Sequence, residues 1–523
     1  MKIIKIFLVV YSMLFFNLST VAQQNFNRSY YYGENTYGMA AVAYQNHFIF
    51  GGYNSIPVLD SNLSVGTYYN KVMGYAFRTN LSGDSLFFQN YYNDDSAYLA
   101  QFDWNGAMTI LHGSKGEDGN SYWTGYRPPP DSAVYWYQSD LYIVKLDSLG
   151  NTLWEKSYDA PGDSSYVGWT IDYNEQTGRI VTCGYLTKNT QDKQGFIVEI
   201  DTAGNLLNKW VPINANNHES NFISLISIDS IIITVGDKRG LGFNNRQPLI
   251  CAMNTVGQLL WSHYFPPTSN NNFVANVVAI NSQEFILYWV HAVKQGSSPW
   301  VWVHHLVKMD IAGNIIWDKP VFYSYHTNGR LNYLDNGNVM FSGVFKDTLG
   351  GPMNGYLVMF DTSGTILWDR LFIKTWGQFQ WLRDGVQTSD GGFVITGETG
   401  GSNINPITGN LSIDLWIVKT DSNGLITSDN QLEPPPLAQS HLSPPYPNPA
   451  NEYSMVDVII PPNIEKALLH VFDITGREIN TFTLQEGLSQ LKIETSHLKN
   501  GTYLLAMSLN GYKDDVQKLV VSR

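Results

Sequence analysis

The chain has 523 residues, 43% hydrophobic and 14% aromatic but only 15% charged, a profile that excludes intrinsic disorder and allows two domains or a repeat array. Its net charge of -13, without Lys/Arg clusters, sets it against phosphate backbones and so against nucleic acid as a partner. Two cysteines, Cys183 and Cys251, each lie in an apolar run and make no disulfide framework; Cys and His show no metal-ligand spacing.

Lys2 and Lys5 form a basic start, Ile6 to Phe16 an apolar run, and Thr20-Val21-Ala22 a small-residue cleavage site, so residues 1–22 read as a secretory signal peptide. The apolar run is too short to span a bilayer, and the mature form is expected to carry no integral membrane span.

From there one phrase recurs: an apolar strand, Asp-x-x-Gly, and a second strand with an aromatic residue four positions after the glycine. The clearest copy is DLYIVKLDSLGNTLW, with Asp147, Gly150 and Trp154; the turn glycines are 83, 150, 204, 257, 313, 364 and 424. Asp or Asn there accepts a backbone hydrogen bond and Gly supplies a positive φ, so the recurring carboxylates are turn formers rather than catalytic acids. An apolar strand ending in Gly (51, 113, 184, 236, 343 and 397) precedes most copies, with Val290 in that place in the fifth, and a further strand lies ahead of each. Four short strands per unit, seven times over, predict a seven-bladed β-propeller across residues 23–430. The seventh copy lacks its fourth strand, and Phe26-Asn27-Arg28-Ser29-Tyr30 matches the missing pattern, which predicts closure of the ring by the N-terminal segment. The repeated Trp positions are expected to pack between blades.

Loop length points to a face. From the strand-two glycine to the turn glycine, blades three, four and six span 20 or 21 residues, but blades one, two and seven span 32, 37 and 27. Aromatic and amide residues counted into these insertions (Tyr68, Tyr69, Trp123, Tyr126, Trp136 and Asn403) suit stacking on sugar rings and make a candidate ligand-binding face for glycan or protein. No nucleophile elbow, zinc-binding helix, phosphate loop or calcium loop is visible, and His304 and His305 alternate along a strand, so they cannot share a metal. Neither metal nor cofactor is expected. The alternative is a secreted hydrolase or lyase with its site in the propeller channel, where Asp172 and Asp384 are scattered candidates.

A Pro-rich linker over 431–445 leads to about six short alternating strands in 446–523, which predict a small C-terminal β-sandwich. Here Tyr446-Pro447-Asn448-Pro449, then Val471-Phe472-Asp473-Ile474-Thr475-Gly476, then Asn500-Gly501-Thr502-Tyr503, and a closing Lys518-Leu519-Val520-Val521 resemble the type IX secretion C-terminal sorting domain. The resemblance implies a cell of the Bacteroidota, handling by the type IX machinery, and a protein that passes through the periplasm to be secreted or held at the outer cell surface. More loosely, residues 24–430 resemble the repeats of secreted propellers from that phylum, without a cofactor constellation.

Overall fold

The computed structural model describes residues 25–426 and 441–523, apart from 33–34, 60–67, 92–108, 128–138, 161–163, 189–191, 213–218, 240–245, 266–271, 295–299, 327, 347–350, 375–378, 405–409, 443–444, 446, 461–465, 476, 486 and 510–511. The expected signal peptide and most of the linker lie outside the described residues. The chain divides into two compact units, 1–428 and 429–523.

The first unit holds seven four-stranded antiparallel sheets. Sheet one comprises Asn35–Ala43, His47–Leu59, Tyr68–Asn80 and Ser85–Tyr91; sheet two Thr109–Lys115, Ser121–Arg127, Asp140–Leu146 and Thr152–Tyr158; sheet three Ser164–Asn174, Arg179–Lys188, Asp192–Ile200 and Leu206–Trp210. Sheet four has Glu219–Ile228, Ile231–Arg239, Arg246–Asn254 and Leu259–Tyr264, and sheet five Asn272–Ala279, Glu284–Lys294, Trp300–Asp310 and Ile315–Ser324. Sheet six has Gly329–Tyr333, Val339–Phe345, Asn354–Phe360 and Ile366–Phe372. Sheet seven has Gln380–Gln387, Phe393–Ile404 and Leu411–Thr420, and its outer strand is Phe26–Tyr30. That outer strand pairs from Phe26↔Lys419 to Tyr30↔Leu415, so the N-terminal segment does complete the last sheet.

Each sheet ends in the expected turn. In the third, Asp201 Oδ1 accepts from the amides of Ala203 (2.9 Å) and Asn205 (2.8 Å), and Gly204 takes φ 77°. The aromatic residue beyond that turn has a purpose in the neighbouring sheet. Trp154 covers Gly204, Trp210 covers Gly257, Trp261 covers Gly313, Trp317 covers Gly364 and Trp368 covers Gly424. Phe87 lies by Gly150, and the ring of contacts closes through Phe26 on Gly83. A side chain at Gly204, Gly257, Gly313, Gly364 or Gly424 would both strain a positive φ and press on an indole; at Gly257 the added carbon would sit 2.0 Å from Trp210 Nε1. The Trp repeat is thus an inter-sheet device, as its register implied.

The strand-two glycine has a different cause. Six of the seven inner strands carry a bulge, leaving Met39, Leu111, Trp169, Ile223, Ala275 and Arg383 as extra residues. At the bulge the inner backbone presses on its neighbour: a Cβ on Gly236 would lie 1.8 Å from the Asn221 carbonyl oxygen, and one on Gly397 1.8 Å from that of Trp381. Gly236→Ala is therefore expected to cost at least about 3 kcal/mol, read as a lower urea midpoint.

Register also corrects three sequence assignments. The glycine that faces the bulge is Gly52 rather than Gly51, and Gly125 rather than Gly113, because Thr109–Lys115 is the inner strand of sheet two. In sheet five the position belongs to Trp289, which pairs with Val274 just before the bulge, rather than to Val290. The insertion in sheet two is then the stretch 128–139, and a further long connection, 92–108, joins sheet one to sheet two. In an antiparallel sheet the strand two–three loop and the link to the next sheet leave from the same end, so both still serve one face.

The second unit packs two sheets over a core that includes Leu442, Val456, Leu469, Val471, Leu505 and Leu519. One sheet has Tyr453–Ile460 between His441–Leu442 and Gly487–Glu494; the other runs Glu478–Thr483, Ala467–Asp473, Gly501–Leu509, Tyr512–Val521. His441 and Leu442, assigned to the linker from sequence, already pair with Ile459 and Val458.

Candidate functional site

The inner strands line the centre of the propeller, and a recurring polar side chain on them bonds the backbone of the next inner strand. The amide of Ile171 meets His112 Nδ1 at 3.3 Å, Thr170 Oγ1 donates to the Ile223 carbonyl at 2.7 Å, and Val277 N donates to Ser224 Oγ at 3.4 Å. Leu331 N donates to Asn276 Oδ1 at 2.9 Å and Ala41 N to Asp384 Oδ2 at 3.1 Å. Each bond ties one sheet to the next. The equivalent positions in the two remaining sheets are Ala40, which has no side-chain polar atom, and Arg330. Arg330 instead reaches across the ring, its Nη2 donating to the Leu111 carbonyl of sheet two at 3.4 Å. Burial lowers the Arg330 pKa, opposed by the nearby Asp384 carboxylate.

Asp172 and Asp384, the scattered channel acids, belong to this lacework. Burial pushes the Asp172 carboxyl up to about 7, against the Ser227 amide that donates to Oδ2 at 2.9 Å. Asp384 is also raised by burial, with Arg330 pulling the other way. A carboxylate that accepts a backbone hydrogen bond from the adjoining sheet holds that junction together.

At the end where the inner strands begin, a second group of residues converges. Tyr37 stacks on Tyr53 in sheet one with ring centroids 4.6 Å apart. Arg383 grips Glu398 through Nε, at 3.0 and 3.1 Å from the two carboxylate oxygens, and its guanidinium lies 4.4 Å from the Trp381 ring centroid. Burial lifts the Glu398 carboxyl above its usual range against the pull of Arg383; burial likewise works against the Arg383 charge, which the carboxylate outweighs. The guanidinium thus meets both oxygens of a carboxylate only 1% exposed. His326 of the neighbouring connection meets Trp381 at 4.9 Å, and burial, with Arg383 adding to it, holds its pKa down to about 4. On the other side, Trp169 lies 6.5 Å from Tyr185, over which the Lys193 ammonium sits at 4.0 Å. Tyr37, Trp169, Tyr185 and Trp381 are half-buried.

The residues expected to bind a ligand are distributed differently. Trp123 and Tyr126 lie on the strand Ser121–Arg127, not in a loop, and are buried at 1% and 7% exposure. Trp123 fills the gap between sheets one and two, where a Cβ on Gly51 would meet its ring at 2.7 Å, and its Nε1 donates to Ser121 Oγ at 2.9 Å. The loop count from Gly113 had placed both residues too far along. Tyr68 and Tyr69 sit in strand Tyr68–Asn80, paired with Leu59 and Val58 at the far end of the longest hairpin, and Asn403 lies near the end of Phe393–Ile404. Trp136 is outside the described residues.

In the second unit, Asn448 reaches the last strand twice: its Nδ2 donates to the Lys518 carbonyl and its Oδ1 accepts from Val520 N, both at 2.8 Å. The peptide to Pro449 is cis, and Ala450 then pairs in parallel with Val521. Pro447 is exposed, Gly501 opens the strand that carries Tyr503, and the Tyr503 hydroxyl donates to the Lys499 carbonyl at 2.9 Å. Tyr446 and Gly476 are outside the described residues. The segments around Asn448, Gly501–Tyr503 and Lys518–Val521, far apart in sequence, thus adjoin at one sheet edge, while Val471–Asp473 lies on an interior strand of the same sheet.

A β-propeller carrying a small appended β-sandwich is the class these features define. Residues 445–522 match the family described as "Secretion system C-terminal sorting domain". The second unit is a type IX secretion sorting domain, and the protein is exported by that route to the cell surface or beyond. No curated protein matches the chain. Among solved structures it is similar to the β-propeller domain of the Trilobed protease from Pyrococcus furiosus (11% identity, TM-score 0.39, covering 75% of this chain and 98% of that one). It is also similar to an ulvan lyase (9%, TM-score 0.46, 75% and 96%) and to an α-L-arabinanase from Penicillium chrysogenum (10%, TM-score 0.40, 59% and 93%).

Proposed function

We propose that the exported propeller is a binding module that takes a glycan or a protein segment on the face where its inner strands begin. What supports this reading is the half-buried aromatic set Tyr37, Trp169, Tyr185 and Trp381 at that face, contributed by three sheets and flanked by Lys193 and the Arg383–Glu398 pair. Aromatic faces beside fixed charges suit sugar rings and extended peptides. Tyr68, Tyr69 and Asn403 lie on strands that run toward the same end of their sheets, and Tyr126 belongs to the cluster against which Trp169 and Tyr185 pack. A hydrolase or lyase is less well served, because Asp172 and Asp384 are engaged by backbone amides and Glu398 by Arg383.

The test is a glycan and peptide array probed with the exported protein and with Trp381→Ala and Tyr37→Ala. Each variant is expected to lose about tenfold in affinity for whatever the parent retains, with an unchanged melting midpoint. Undiminished binding would remove the face from consideration, and release of oligosaccharide products by the parent would replace binding with catalysis.

A further inference from the structure

Sheet five departs from its neighbours in carrying Trp289 where the others carry a strand-two glycine, and around that indole the structure gathers two histidines. The His305 ring lies 4.5 Å from Trp289 and the His291 ring 5.1 Å, while the two imidazoles are 5.0 Å apart, centroid to centroid. They come from adjacent strands: His305 pairs with Trp289, and His291 stands two residues further along the same strand on the same face. His304 points to the opposite side, where Tyr288 and the His326 carbonyl hold it at 2.6 and 3.0 Å.

His291 Nδ1 and His305 Nε2 are both buried, and neither has a hydrogen-bond partner among the described residues. The other nitrogen of His305, Nδ1, lies 2.7 Å from Asp318 Oδ1. A carboxylate there accepts a hydrogen bond from Nδ1–H and so leaves the Nε2 lone pair free, as in carboxylate-supported metal-binding histidines. The spacing fits as well: a tetrahedral ion about 2.1 Å from each of two imidazole nitrogens sets the ring centroids about 5 Å apart. Two buried nitrogens without a partner among the described residues, on rings at that centroid separation, can share one occupant.

We propose that His291 and His305, with Asp318 orienting His305, bind one first-row transition-metal cation of the zinc or copper type, whose remaining positions are filled by water or other oxygen donors. The site lies on the side of sheet five that packs toward sheet four, where Trp289 joins Phe265 and Val277. It is separate from the aromatic face and does not depend on it.

The test uses the full exported chain without an affinity tag. Titration with Zn2+ alone, followed by calorimetry, is expected to show one equivalent bound, and Cu2+ to give an electron paramagnetic resonance spectrum with two nitrogen ligands. His291→Gln and His305→Gln should each weaken binding more than a hundredfold. Asp318→Asn should weaken it by roughly 10- to 100-fold while leaving the two-nitrogen spectrum in place. Circular dichroism melts of the metal-free variants check that they fold. Binding of less than one equivalent by the parent, a one-nitrogen spectrum, or unchanged affinity in a folded His305→Gln protein would overturn the proposal.

Discussion

Deleting residues 23–32 is expected to lower the melting midpoint of the exported protein by about 5–10 °C in differential scanning calorimetry. The strand Phe26–Tyr30 does more than fill an edge. Phe26 is 4% exposed and sits on the Gly83 turn of sheet one, while Asn27 Oδ1 accepts from the indole of the buried Trp416 at 2.7 Å. Lys374 Nζ donates to the Asn27 carbonyl at 2.7 Å, Arg28 pairs with Asp84, and the Tyr30 hydroxyl bonds to the Gly83 carbonyl. Removing Phe26 burial costs about 2–3 kcal/mol and orphaning the Trp416 indole about 1–3 more. A chain of this size converts each kcal/mol into about 1–2 °C. The exposed Arg28–Asp84 pair adds little. Phe26→Ala alone is expected to give about half the fall, and a melt unaffected by the deletion would mean that the ring does not rely on this strand.

The second large effect concerns destination. A chain ending at Glu433 keeps every residue of the propeller's sheets and loses the sorting domain, and in a type IX-competent cell it is expected to accumulate in the periplasm. Cell fractionation should find at least about ninety per cent of it there, against a minority of the parent. A subtler change, Asn448→Ala, removes both bonds to the last strand and is expected to cost the sorting domain about 1–3 kcal/mol, read by thermal melting of the full chain. Surface display of the truncated chain at the parent's level would separate export from residues 445–522.

The repeat was legible because each of its marks has a local cause. A positive φ needs Gly83, Gly150 and their counterparts, and an aromatic four residues later must cover the neighbouring turn. The missing seventh outer strand could be found at Phe26 for the same reason. What could not be read was register. A bulge shifts which residues pair across two strands, and neither strand's own sequence records the pairing, so Gly51 and Gly52 are indistinguishable by sequence, as are an inner strand ending near Gly113 and a second strand. That slip moved Trp123 and Tyr126 into a loop, although one fills an inter-sheet gap. Sites assembled across strands were equally hidden. Arg383 and Glu398 lie 15 residues apart, and sequence compared His304 with its neighbour His305 when the structural companion was His291, one strand away. The sorting domain was legible because its short motifs mark turns and specific pairings, among them the edge where Asn448 meets Lys518 and Val520.

The bond between Asn27 and Trp416 joins residues 389 positions apart. During vectorial delivery through the inner membrane, sheets one to six can each assemble from contiguous chain, whereas sheet seven must wait until Leu411–Thr420 has emerged. The sorting domain follows within a few dozen residues. The last folding event of the passenger and the arrival of its export address therefore fall almost together, and a chain interrupted before residue 411 would carry both an unpaired edge and no means of leaving the periplasm.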